Sequence, residues 1–285
     1  MTIGEALRQA THALAAAGIE SAGLEARLLM AHALGVERRV ALDRRAELDP
    51  ERFETLLARR LAHEPLAYIT GRQGFWTLDL AVSPATLIPR ADSETLITAA
   101  LEACLPPPAR VLDLGTGTGC LLLAALVVFP GATGFGVDLW PQAAGLAARN
   151  AQANGLAGRA HFLAGDWAAA ITGQFDLLLS NPPYIRAPEI AALMPEVALH
   201  EPARALDGGP DGLAAYRTLM QALPRLLSAS GCAILELGHG QAPAVAALAA
   251  QAGLECTALK QDLGGIARAM VLRPQKTFGG IRARG

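Results

Sequence analysis

The sequence predicts an α/β protein. A mostly parallel sheet covered on both faces, with an antiparallel hairpin at its C-terminal edge, is preceded by a small helical bundle and a β-hairpin linker. Three observations lead there. Residues 1–61 show apolar positions at helical spacing, residues 66–88 alternate apolar and polar between glycines, and from about Arg90 short apolar strands alternate with helical segments. The last pattern is that of a sheet buried between helices.

The elements follow in order. Thr2 and Glu5 form a capping box ahead of Ile3, Leu7, Ala10 and Leu14, a helix that runs to Gly18. A second helix fits Ser21 to Leu34, with Leu24, Leu28 and Ala31 on its apolar face and Gly35 past its end. A third opens at Asp49-Pro50, a cap with proline in the first helical position, and carries Phe53, Leu56, Leu57 and Leu61. Between Leu66 and Ile88, Gly71, Gly74, Phe75, Trp76 and the alternation Leu78, Leu80, Val82 predict a β-hairpin. Strands are then expected at Val111–Leu114, Phe135–Asp138, His161–Asp166, Phe175–Ser180 and Ala233–Leu237. Helices at Cys120–Phe129, Gln142–Ala153, Leu213–Leu227 and Ala242–Ala252 lie between most of them. Leu254–Lys260 and Arg268–Leu272, separated by Gly264-Gly265, should pair antiparallel at the sheet edge.

Composition bounds the function. Of 285 residues, 52% are hydrophobic and 18% charged, which excludes a disordered chain and supplies a sizeable core. The formal net charge of -2 lacks the basic excess that gives sequence-independent affinity for nucleic acid. The longest apolar run, Cys120 to Pro130, is about half of the roughly 20 residues needed to span a bilayer. No secretory signal is read at the start, where Glu5 and Arg8 interrupt an Ala-rich pattern, so a soluble cytoplasmic protein is expected. Cys104, Cys120, Cys232 and Cys256 show no CxxC spacing and are expected to be small core residues. The dispersed histidines give no metal site; His12, His32 and His63 are expected on helix surfaces or partly buried. Arg38, Arg39, Arg44, Arg45, Arg59 and Arg60, interleaved with acids, read as solvated helix faces, and Arg282 and Arg284 as a frayed tail.

The chemistry concentrates in three places. Asp113-Leu114-Gly115-Thr116-Gly117-Thr118-Gly119 joins an apolar strand to an apolar helix. Alternate glycines let that backbone turn sharply and approach a ligand, with helix N–H groups aimed at it. Asp138, at the end of the next strand, can accept hydrogen bonds from both ribose hydroxyls, and Asp166-Trp167 after the third can hold an adenine. Together they describe an adenosine pocket. Ser180-Asn181-Pro182-Pro183-Tyr184 ends the fourth strand. Its prolines lack N–H donors and fix φ, leaving a stiff turn with bare carbonyls. The Asn181 oxygen and the Pro182 carbonyl can each accept one N–H of a planar amine or amide against which Tyr184 packs. Acceptors that favour a nitrogen gaining positive charge lower the barrier to its alkylation, with no general base needed beforehand.

These motifs, in this order, resemble the class I S-adenosylmethionine-dependent methyltransferases, whose sheet is Rossmann-like, and among them those acting on planar nitrogens. His63-Glu64-Pro65-Leu66-Ala67-Tyr68-Ile69-Thr70-Gly71, Leu87-Ile88-Pro89-Arg90-Ala91-Asp92-Ser93-Glu94, Glu201-Pro202 and Ala205-Leu206-Asp207-Gly208-Gly209 are further similar to the protein-(glutamine-N5) methyltransferases of peptide chain release factors. The resemblance covers nearly the whole chain. One position departs: Ala91 stands where the family has proline, which affects a loop and not the Asn-Pro-Pro-Tyr turn.

The resemblance implies S-adenosylmethionine as cofactor, held by Gly115, Thr116, Gly117, Thr118, Gly119, Asp138, Trp167 and Asn181. It implies Asn181, Pro182 and Tyr184 as catalytic residues, with Asn181, Pro182, Pro183 and Tyr184 holding the substrate. The substrate would be the glutamine of the Gly-Gly-Gln loop of bacterial class 1 release factors, and no metal is expected. Residues 1–75 would dock the substrate, 76–92 would be the hairpin linker, and 93–285 the methyltransferase domain of a monomer that binds neither DNA nor membrane. The alternatives are glutamine methylation of a ribosomal protein, methylation of a flipped DNA adenine, or an adenosine-binding interaction module. The net charge tells against DNA, and the Asn-Pro-Pro-Tyr turn against binding alone.

Overall fold

The computed structural model describes residues 1–37 and 42–275; Arg38, Arg39, Arg282 and Arg284 lie outside the described residues. In chain order the elements are α1 (Ile3–Ala16), α2 (Ala22–Leu34), α3 (Pro50–Leu61), α4 (Leu66–Thr70), β1 (Arg72–Phe75), β2 (Leu78–Ala81) and α5 (Glu94–Ala103). There follow β3 (Arg110–Leu114), α6 (Cys120–Val128), β4 (Thr133–Asp138), α7 (Pro141–Ala153), β5 (Ala160–Ala164) and β6 (Phe175–Ser180). The chain ends with α8 (Pro195–His200), α9 (Ala214–Leu226), β7 (Leu227–Glu236), α10 (Ala242–Gln251), β8 (Leu254–Gln261) and β9 (Ala267–Pro274). It forms two compact units: Met1–Arg72 with Val82–Pro84 and Leu193–Glu201, and the remainder.

The first unit is helical. The Thr2 hydroxyl accepts from Glu5 N and the Glu5 carboxylate from Thr2 N at 2.8 Å, closing the expected capping box. Asp49 caps α3 as expected, its carboxylate accepting from Glu51 N. Helix α2 corrects the expected face: Leu24 is exposed, and Ala22, Ala26, Leu29, Met30 and Ala31 are buried. Small alanines pack α2 against α1 and α3, and a pattern read from leucines alone misses that face. Leu66–Thr70, expected within the hairpin stretch, is a short helix stopped by Gly71 in the left-handed region.

Arg60 is a second correction. It is 5% exposed, not solvated, with Nε 2.5 Å from Glu25 and Nη2 3.0 Å from Glu196. His63 Nδ1 lies 3.3 Å from the same Glu196 oxygen. A buried guanidinium is tolerated only when its charge is paired. One partner lies on α2 and the other on α8, so local spacing carried no sign of either.

The second unit holds a seven-stranded sheet of order β5-β4-β3-β6-β7-β9-β8. Strands β3 to β7 run parallel to their neighbours, whereas β9 pairs antiparallel with β7 and β8. The hairpin therefore enters through β9 and leaves β8 as the edge. One face packs on α5, α6 and residues of α7, the other on α9 and α10. Val111 and Leu112 turn to opposite cores, as the strand pleat requires. Helix α5 has no counterpart among the expected elements; it buries Leu96, Ile97, Ala99 and Ala100.

Asn150 of α7, 1% exposed, stitches three pieces together. Its amide exchanges bonds with Ala81 N at 2.8 Å and Ala81 O at 3.0 Å, and donates to Thr118 O at 2.9 Å. The cysteines divide: Cys104 and Cys232 are buried with sulfurs 3.6 Å apart, whereas Cys120 is half-buried and Cys256 exposed. Cys256 corrects the core expectation, because an edge strand turns alternate residues to solvent.

Candidate active site

The carboxyl ends of β3, β4 and β6 meet where strand order reverses, the place at which open α/β sheets bind ligands. Strand β3 leads into Gly115–Gly119 and α6. At Gly117, φ is +54° and no heavy atom lies within 4 Å of the position a Cβ would take, so the loop is open there. Gly119 (φ +83°) is the opposite case. An added Cβ would come 3.1 Å from Ala147 Cβ and 3.3 Å from Phe162 Cζ, so glycine is required for α6 to start this close to its neighbours.

Acids fix this loop. Thr116 donates its hydroxyl to Asp113 Oδ2 at 2.6 Å. Burial pushes the Asp113 carboxyl up to about 7. Asp138 Oδ2 accepts from Gly117 N at 2.9 Å and Oδ1 from Trp140 N at 3.0 Å, joining the ends of β3 and β4. The Trp167 ring passes 3.7 Å from where a Cβ on Gly115 would stand.

The Asn-Pro-Pro-Tyr turn is held by side chains from elsewhere. Asn181 Nδ2 donates to Ser93 Oγ at 3.2 Å, and Ser93 donates to Glu236 of β7. Tyr184 donates its phenol to the other Glu236 oxygen at 3.2 Å, and Gln241 Nε2 donates to Tyr184 O at 2.9 Å. Burial raises the phenol of Tyr184, keeping it protonated as a donor, and raises the Glu236 carboxyl to about 7.

A cavity of about 370 Å³ opens between loop and turn. Gly115, Thr116, Gly117, Thr118, Asp138, Trp167, Asn181 and Pro183, all expected site residues, line it. Gly119 does not; it caps α6. Pro182 is buried and Tyr184 half-buried, and neither lines the cavity. Asp166, expected beside an adenine, is exposed and outside it. The sequence motifs assign no role to Ser93 or Glu236, or to the Arg204 guanidinium stacked 4.0 Å from the Trp140 ring at the cavity wall. Glu236 did carry a signal: it is the charged residue inside the apolar run Ala233 to Leu237.

Known proteins resemble this chain along most of its length. Residues 5–71 match the PrmC N-terminal domain and residues 92–211 the methyltransferase small domain. A release factor glutamine methyltransferase of Rhodospirillum rubrum is 47% identical over 277 residues, covering 96% of this chain and 85% of the relative. One from Cereibacter sphaeroides is 46% identical over 269 residues, covering 93% and 96%. The chain belongs to the release factor glutamine methyltransferase family.

Two solved structures share the fold. A methyltransferase of Pyrococcus furiosus superposes with a TM-score of 0.51 at 16% identity, covering 78% of this chain and 99% of its own. A ribosomal protein L11 methylase of Lactobacillus delbrueckii gives 0.50 at 20%, covering 65% and 80%. A family of methyltransferases needs a methyl donor, and the cavity suits an adenosyl sulfonium. Gly117 leaves a cradle that a side chain would fill. Among the described residues, Thr118 Oγ1, from the cavity lining, is buried without a hydrogen-bond partner, a polar atom of a kind that ordinarily finds one. Among the described residues there is no cluster able to hold a metal and no helix long and apolar enough to cross a membrane.

Proposed function

We propose that this chain methylates the side-chain amide nitrogen of the glutamine in the Gly-Gly-Gln loop of bacterial class 1 release factors, with S-adenosylmethionine as donor. One observation carries the chemical half of this reading. The NH2 of Asn181 is engaged at Ser93, so the group Asn181 has left for the cavity is an acceptor oxygen. An acceptor beside Pro183 suits an N–H-bearing substrate nitrogen. The identity of the substrate is supported by family membership.

The donor, when bound, supplies an electrophilic sulfonium methyl. Gly115, Thr116, Gly117 and Thr118 would hold it, with Asp138 and Trp167 along the adenosine side and Gly119 supporting the loop from behind. Asn181 Oδ1 at the cavity wall and, in this reading, the carbonyl of the adjoining Pro182, whose ring is buried outside the cavity, accept the two N–H groups of the glutamine amide and orient its nitrogen lone pair in line with the transferred methyl. Those acceptors gain strength as the nitrogen becomes positive, which is differential binding of the transition state. Tyr184 holds the turn's far end against β7. As nitrogen bonds to carbon its own N–H weakens, and that proton leaves to solvent with no ionised base required. Residues 1–75 dock the release factor in this reading, and 93–285 carry the chemistry; the family matches at 5–71 and 92–211 support that division. The enzyme acts as a monomer in the cytoplasm, where its substrate works.

Incubation with radiolabelled S-adenosylmethionine and, separately, an unmethylated release factor, a ribosomal protein fraction and adenine-containing DNA tests the assignment. Label entering the release factor is expected. Label in DNA or ribosomal protein with none in the release factor contradicts it.

A further inference from the structure

We infer that Glu236 and Ser93 are positioning residues that fix the amide of Asn181 with its NH2 engaged at Ser93 on the cavity wall and its oxygen left free to meet the substrate. This rests on the amide-methylation reading above. Glu236 ends β7 and is 2% exposed. One of its oxygens takes the Ser93 hydroxyl and the other the Tyr184 hydroxyl, at 3.2 Å. An ionised carboxylate only accepts hydrogen bonds. The single proton of Ser93 is therefore committed to Glu236, and the Ser93 oxygen has only lone pairs to offer. Whatever meets that oxygen at 3.2 Å must be a donor, which selects Nδ2 of Asn181 over Oδ1. The direction of each bond follows from the one before it, starting at the carboxylate.

The same carboxylate secures the far end of the turn. Tyr184 is bound to it through the phenol, and the Tyr184 carbonyl is held by Gln241, whose oxygen accepts from Gly238 N at 3.0 Å. Asn181 and Tyr184, three residues apart, are thus referred to one point on β7.

Protonation of Glu236 breaks the logic. Its new O–H has Ser93 or Tyr184 as neighbour, and a Ser93 that accepts from Glu236 donates to Asn181 instead. The amide then presents NH2 to the cavity, against the N–H groups of the substrate. The charges facing Glu236 are Arg268 of β9, which favours the carboxylate, and Asp92 ahead of α5, which opposes it. Arg268 is itself paired with Asp92 at 3.2 Å and Asp262 at 2.8 Å. Burial places the titration near pH 7, within experimental reach.

The test compares Ser93→Ala, Ser93→Thr and Glu236→Gln with the full-length wild type. Two readouts are used: methyl transfer to an unmethylated release factor, and side-chain amide exchange of Asn181 by NMR, which needs no substrate. Ser93→Ala is expected to lower kcat about a hundredfold, as misplacement of a reacting group does. KM for the release factor and binding of S-adenosylmethionine should stay within about threefold. Ser93→Thr, which keeps the hydroxyl, should recover most of the loss. Wild-type kcat should fall below pH 7, and Glu236→Gln should lose that limb. The Asn181 NH2 should exchange slowly in wild type and rapidly in Ser93→Ala. Wild-type kcat in Ser93→Ala, equal loss in Ser93→Thr, or unchanged Asn181 exchange each overturn the inference. Should Glu236→Gln not fold, the Ser93 pair and the exchange data decide alone. A wild type that leaves the release factor unmethylated refutes the substrate reading, and the exchange result still judges this one.

Discussion

The glycine loop after β3 and the Asn-Pro-Pro-Tyr turn after β6 face each other across one cavity and are made rigid in opposite ways. The loop gains its shape from residues without side chains. Gly117 leaves open space and Gly119 permits close packing, and two short-range acids, Asp113 and Asp138, gather the N–H and O–H groups around them. The turn has prolines where the loop has glycines, and its polar side chains are anchored by Ser93 and Glu236, 88 and 52 residues away from Asn181 and Tyr184 respectively. In the proposed reading, a surface that wraps a whole cofactor is built from backbone, and one that orients a single amide is built from a braced side chain. The difference predicts that damage to the loop appears in stability and cofactor binding, and damage to the turn in kcat.

The largest effect should come from the turn. Asn181→Ala removes the acceptor proposed to meet the substrate nitrogen and should lower kcat about a thousandfold, with thermal stability near wild type by calorimetry and S-adenosylmethionine binding weakened far less than kcat. A variant that also loses cofactor binding would show that the two regions are not separable. Asn150→Ala should have the next largest effect. It strips partners from Ala81 N, Ala81 O and Thr118 O, and at about 1–3 kcal/mol per buried orphan should destabilise the chain by about 3 kcal/mol in urea unfolding.

Within the loop, Gly119→Ala meets both a left-handed φ and contacts at 3.1 and 3.3 Å. It should cost about 2–3 kcal/mol. Gly117→Ala meets only the backbone term, about 1 kcal/mol, yet its methyl enters the cradle and should weaken S-adenosylmethionine binding more than its stability change implies. Equal stability losses for the two glycines would contradict the packing described for Gly119.

A separate effect concerns pH. Buried Asp113 and Glu236 keep their protons in the folded chain to about pH 7 and lose them nearer their ordinary values when unfolded. The folded state therefore binds more protons between about pH 4 and 7, and stability falls as pH rises through that window. Asp113→Asn should flatten the decline in urea midpoints measured across it.

Local chemistry was readable in the sequence, and distant partnership was not. The Thr2 box, the Asp49-Pro50 start and strand Phe175–Ser180 each depend on neighbours within a few residues and stand where the sequence places them. So do the glycine loop and Asp138, whose spacing is local to one strand–turn–helix unit. Arg60 went astray because Glu25 and Glu196 reach it from 35 and 136 positions away. Ser93 carries no local sign of its role because its partner Glu236 is 143 positions off. The buried face of α2 was missed because alanine carries too little hydrophobic signal to outweigh Leu24.

The most direct test of the whole account is where the methyl group goes. An unmethylated release factor, treated with the enzyme and S-adenosylmethionine and mapped by tandem mass spectrometry, should carry one added methyl, on the side-chain nitrogen of the Gly-Gly-Gln glutamine. Changing that glutamine to glutamate, which has no amide nitrogen, should abolish the addition. Methylation at another residue, or addition that survives the change to glutamate, would contradict the account.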